Sequence, residues 1–157
     1  MYKYLLGLSL FFSGVANSQN ALDPVSSAVS RIKQSQEQNK IDTTEIAYVG
    51  TRCGALYGAL AAYFESNGNA SDAEAISNFR RQGDAFIKVA LTLNLGANRM
   101  TTEAITEQAT TISKYYFVTM SDGKRLNNNV FTPYIQADLA ACKIELDGYR
   151  QFAARIK

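Results

Sequence analysis

The chain has 157 residues, 46% of them apolar and 19% charged, which suits one domain with one core and is too apolar for a disordered chain. The formal charge is +2, one unit of it from Lys3, so the rest is close to neutral and lacks the clustered basic surface that nucleic-acid binding calls for. Histidine is absent, which removes Ser-His-Asp and Cys-His catalysis and most zinc sites; neither cofactor nor metal is expected, and the chain reads as non-enzymatic.

Residues 1–18 read as a cleaved signal peptide. Lys3 is a minimal charged start, Tyr4 to Phe12 is an apolar run, and Ala16-Asn17-Ser18 places small residues before a cut after Ser18. The run is too short to remain as a bilayer span, so no stable membrane span is expected after cleavage. The expected location is periplasmic or secreted, and the expected partner is another envelope or extracellular protein.

Residues 19–41 read as a short helix and a linker. Asp23-Pro24 resembles an N-cap and first-turn pair, Val25, Ala28, Val29 and Ile32 share a face, and Gln34 to Lys40 reads as fraying polar chain. Residues 42–157 read as four long helices. The first opens with Asp42 and Glu45 in capping-box spacing and closes near Glu65; the second opens with Ser71 and Glu74 in the same spacing and stops at Gly96. Its stripe is Ile76, Phe79, Gly83, Phe86, Ala90 and Leu93. The third starts near Thr101 or Thr102, has Ile105, Ala109, Ile112, Tyr116 and Met120 as its apolar face, and ends at Asp122-Gly123; the fourth takes Thr132 and Pro133 as its start. The fold class is therefore all-α: an up-down-up-down four-helix bundle with an additional short N-terminal helix and one interhelical disulfide.

In an exported chain, two cysteines most simply pair with each other. Cys53 and Cys142 fall near mid-height of the first and last long helices. A disulfide needs Cα atoms about 4.4–6.8 Å apart, closer than ordinary helix axes. Gly50, Gly54 and Gly58, facing Ala137, Ala140 and Ala141, are read as the small residues that let those two helices approach.

Two further groups are candidates for function. Arg52, Tyr57, Asp138 and Glu145 form a polar cluster or ligand site beside the bridge, with Tyr57 read against Asp138 and Arg52 against Glu145. Lys124, Arg125, Asn127, Asn128 and Asn129 form a candidate interaction loop. The connections 94–101 and 122–131 are read as sharing one end of the bundle. The functional expectation is a protein-interaction, inhibitor or accessory module; the alternative is a small-ligand carrier or sensor with a pocket near Tyr57 and Asp138.

Overall fold

The computed structural model describes residues 23–68 and 72–155. Five helices follow in order: α1 (Val25–Glu37), α2 (Thr43–Asn67), α3 (Ala73–Gly96), α4 (Thr102–Asn127) and α5 (Pro133–Arg155), with no strand among the described residues. The protein is an all-α helical bundle with one disulfide. The leader of residues 1–18 and the Ser71 cap lie outside the described residues.

Local chemistry sets most of the helix ends. The Asp42 carboxylate accepts from the backbone N–H of Thr44 and Glu45, capping α2. Thr101 caps α4 by accepting from Ala104 N. Glu45 does not complete the box; its carboxylate takes Arg31 of α1, which also binds Asp23. Three boundaries differ from the sequence reading. α1 starts at Val25 with Pro24 in the N-cap place, and Asp23 pairs with Arg31 instead of capping the helix. α1 runs on through Glu37 and ends in a turn with Asn39 in the left-handed region, at φ 55°. α4 continues through Asp122-Gly123 and stops only where Asn128 turns left-handed, at φ 52°. The backbone N–H of Asn129 then donates to Gly123 O, and a Cβ on Gly123 would sit 2.5 Å from Asn129 O. Gly123 is thus the residue over which the chain folds back, four positions before the last helical one.

The core is organised around α2, which is buried over most of its circumference and carries a single charge, Arg52, between Glu45 and Glu65. α3 runs antiparallel to it: Gly50 lies at Phe86 and Ala90, Gly54 at Gly83, and Tyr57 at Phe79. α4 runs parallel, with Gly58 nearest Ser113 and Tyr63 against Phe117. α5 runs antiparallel, linked at Ile46–Tyr149, Cys53–Cys142 and Phe64–Phe131. That alternation is the up-down-up-down order. α1 lies over α2 and α5 and buries Val25, Ala28, Val29 and Ile32.

The 97–101 and 128–132 connections lie at opposite ends, as an alternating chain requires. Arg99 donates to the Thr43 and Thr44 hydroxyls and to Thr43 O, at the start of α2. Phe131 packs on Phe64 near its end.

Candidate functional site

The disulfide forms where the sequence places it. Cys53 and Cys142 are fully buried with Cα atoms 5.6 Å apart, joining α2 to α5 across 89 residues of chain. A loop of that size stabilises the fold by about 4–5 kcal/mol in the chain-entropy account.

The glycines mainly admit α3; of the three, Gly50 also stands close to α5, where a Cβ would lie 3.1 Å from Tyr149 Cε1. Added Cβ atoms at Gly50 and Gly54 would meet α3 first, at 2.9 Å from Phe86 O and 2.5 Å from Ile87 Cγ1. Ala137 and Ala140 point outward, and of that set only Ala141 is buried. Small residues recurring every four positions move around a helix by about 40° per step. The stripe therefore turns from α3 toward α4 instead of staying on the cysteine's side.

The polar cluster exists, with different pairings. Asp138 of α5 is 1% exposed and accepts from three other helices: Val25 N of α1 at 3.0 Å, Arg52 Nη2 of α2 at 2.6 Å, and the Tyr116 hydroxyl of α4 at 2.5 Å. Arg52 Nη2 also donates to the Tyr134 hydroxyl at 2.7 Å. The guanidinium carbon stands 5.2 Å from the centre of the Tyr116 ring and 5.9 Å from that of Tyr48, and its buried Nε and Nη1 groups have no hydrogen-bond partner among the described residues. Tyr57 is elsewhere, stacked on Phe79 and Phe86 of α3, and Glu145 does not pair with Arg52.

Burial holds the Tyr116 phenol far above its usual range; the Asp138 charge adds to this, and Arg52 opposes it. Arg52 is held charged: burial works against the cation, and the tyrosines and Asp138 outweigh it. Chemically the cluster is a closed carboxylate, with both oxygens accepting hydrogen bonds. It ties four helices together and supplies α1 with a cap that its own sequence lacks, since Pro24 offers no side-chain acceptor.

Two open features lie away from it. A groove of about 480 Å³ runs between α3 and α4. Its floor is α2, through Gly54, Gly58, Ala61 and Ala62, and its rim carries Glu65, Arg80, Asp84 and Lys114. Arg80 spans to Glu65 at 2.6 Å. Gly58 is exposed on this floor, and a Cβ there would meet only Ser113 Oγ, at 3.9 Å. The second is an apolar pocket of about 320 Å³ between α1, α2, α3 and α5, bounded by Ile32, Ile46, Leu93, Tyr149, Phe152 and the largely exposed Ile41.

The candidate interaction loop is mostly helix. Lys124, Arg125 and Asn127 belong to the last turn of α4, where cations favour the carbonyl end. Lys124 Nζ donates to Asn128 Oδ1, Arg125 pairs with Asp122, and Asn129 Oδ1 accepts from Phe131 N. These side chains are exposed, and several serve to finish the helix and its turn. Sequence reasoning missed Tyr116 and Val25 N as partners of Asp138, and Tyr134 as a partner of Arg52; a tyrosine on an apolar stripe carries no mark of what its hydroxyl will meet.

No helix among the described residues is long and apolar enough to cross a membrane. No family model, curated protein or solved structure matches the chain.

Proposed function

We propose that this chain is an exported, non-enzymatic interaction module, and that a helix of another envelope or extracellular protein lies in the groove between α3 and α4. The buried disulfide and the leader-like residues 1–18 support export. One observation carries the groove: Gly58 sits in the middle of α2 with no neighbour that needs it small. A glycine inside a helix costs about 0.5–1 kcal/mol relative to alanine. At Gly50 and Gly54 the close approach of α3 offsets that cost; at Gly58 nothing among the described residues does. An incoming backbone resting on the floor would use the missing side chain, and the mixed charges of the rim would select its orientation.

A photoreactive residue replacing Thr110, which lines the groove and is exposed, tests this. The expected result is a discrete protein adduct in cells. The adduct should be absent with the same probe at Gln38, outside the groove, and lost when Gly58→Phe fills the floor without changing helix content. No adduct at Thr110, or one indifferent to Gly58→Phe, would overturn the proposal.

The carrier reading loses its expected place, because Tyr57 and Asp138 do not meet; what supports it instead is the apolar pocket beside Ile46 and Phe152, whose size is at the lower end of that of small-ligand sites. It predicts a rise in melting temperature with apolar small molecules that Val89→Phe, which narrows that pocket, abolishes.

A further inference from the structure

α5 turns one side toward the apolar pocket it shares with α1, α2 and α3. Glu145, Gly148, Tyr149 and Phe152 line it, at the i, i+3, i+4 and i+7 spacing of a single helix face. Among the described residues Glu145 is the one charged side chain on the lining, and the facing walls are apolar. Glu145 is half-buried, and it accepts no hydrogen bond and forms no ion pair among the described residues. Tyr149 does not answer it, since its hydroxyl donates to Ile46 O. The cation at the pocket's edge, Arg99, is committed to oxygens of Thr43, Thr44 and Leu93. Gly148 leaves a gap between Glu145 and Phe152: it is exposed, and a Cβ there would meet nothing within 4 Å. A glycine inside a helix weakens it, and nothing among the described residues uses the space this one leaves.

We infer that this pocket binds a small amphiphilic amine, with its ammonium group against the Glu145 carboxylate and its apolar tail laid across Gly148 toward Ile46 and Phe152. Charge selects the head group. A carboxylate beside apolar walls attracts a cation more strongly than the same pair would attract in open water. An anionic amphiphile would be repelled by Glu145, and a neutral one would gain the walls alone. Gly148 selects the path of the tail, because a ligand can rest on the helix backbone there while its head stays within one turn, at Glu145. The volume of about 320 Å³ sets the size: one short chain or ring, at the lower end of small-ligand sites. Ile41, 78% exposed, and Phe152, 42% exposed, line the same pocket and would be covered by the tail. The inference rests on the carrier reading of this pocket and is independent of the α3–α4 groove.

Calorimetric titration of the protein at neutral pH with octylamine, octanol and octanoate tests the inference, since the three probes share a tail length and differ in the head. Octylamine should bind at least about fivefold more tightly than octanol, and octanoate more weakly than either. Hexylamine, shorter by two methylenes, should bind about tenfold more weakly than octylamine. Glu145→Gln should bring octylamine down to the affinity of octanol. Gly148→Leu, which fills the gap, should abolish binding of both. Neither position is fully buried, so helix content should stay unchanged in each variant. Octylamine binding no tighter than that of octanol, or indifferent to either substitution, would overturn the inference. Octanol binding that Gly148→Leu abolishes would in that case leave the carrier reading standing, whereas no binding of any probe would remove both.

Discussion

Asp138 holds a carboxylate where water does not reach, and its three donors come from three different helices. Breaking a buried ion pair by removing one partner leaves the other charge uncompensated, at a cost of about 3–5 kcal/mol. Asp138→Asn should therefore lower unfolding free energy in urea by that amount. Replacing both charges by apolar side chains of similar size removes the stranded ion, so Arg52→Met with Asp138→Leu should be less destabilised than Asp138→Leu alone. Losses that simply add would show that the pair does not act as a unit. Both residues were legible in the sequence as polar groups among apolar ones, beside the cysteines. Their pairing was not. One residue step rotates a helix by about 100°, and that rotation decides whether Arg52 meets Asp138 or Glu145. The Tyr116 hydroxyl comes from a helix whose orientation the cysteines do not constrain.

At the scale of the helix, α2 shows why a pattern can be read correctly and assigned to the wrong neighbour. Its length, its Asp42 cap and its small residues follow from the sequence, and the bundle's alternation follows from four amphipathic stretches with short links. The partner of the glycines does not, because Ala-rich and Gly-containing faces on α3 and α5 are equally able to accept close approach. The three glycines separate into two kinds by the space around them. At Gly50 a Cβ would stand 2.9 Å from a backbone oxygen, Phe86 O, which cannot swing away. Gly50→Ala should destabilise by about 1–3 kcal/mol through overpacking. Gly58→Ala adds a methyl group in open space and gains helix propensity, so it should stabilise by about 0.5–1 kcal/mol. Thermal unfolding of the two variants, followed by circular dichroism, checks the sign of each. A loss of stability at Gly58 would mean that the floor of the groove is closed in solution. The helix ends were legible where a cap is local, at Asp42 and Thr101, and not at α4, where Asp122-Gly123 resembles a stop until the fold-back from Asn129 onto Gly123 is seen.

For the molecule as a whole, the absence of histidine shapes how stability depends on pH. With no imidazole to titrate near neutrality, the interior groups whose protonation differs most between folded and unfolded chain are tyrosines. Burial raises the phenols of Tyr116 and Tyr149 well beyond the alkaline range, and raises those of Tyr48, Tyr57 and Tyr134 in the same direction. An unfolded tyrosine ionises near pH 10. Below that value both states keep the proton, and the stability these phenols contribute is fully present. Above it the unfolded chain releases protons that the folded chain retains, so stability falls as pH rises. For Tyr116 and Tyr149, which are 0% and 5% exposed, the slope is about 1.4 kcal/mol per pH unit each. The expected behaviour is a stability that changes little between neutrality and about pH 9.5, then a cooperative alkaline unfolding in which the tyrosinate absorbance of the buried phenols appears together with the loss of helix. Tyr116→Phe should flatten that slope by about one proton, although it removes a donor to Asp138. Tyrosinate absorbance that develops fully while helix content stays intact would show that the phenols are open to water, and with them the cluster that ties α1, α2 and α4 to α5.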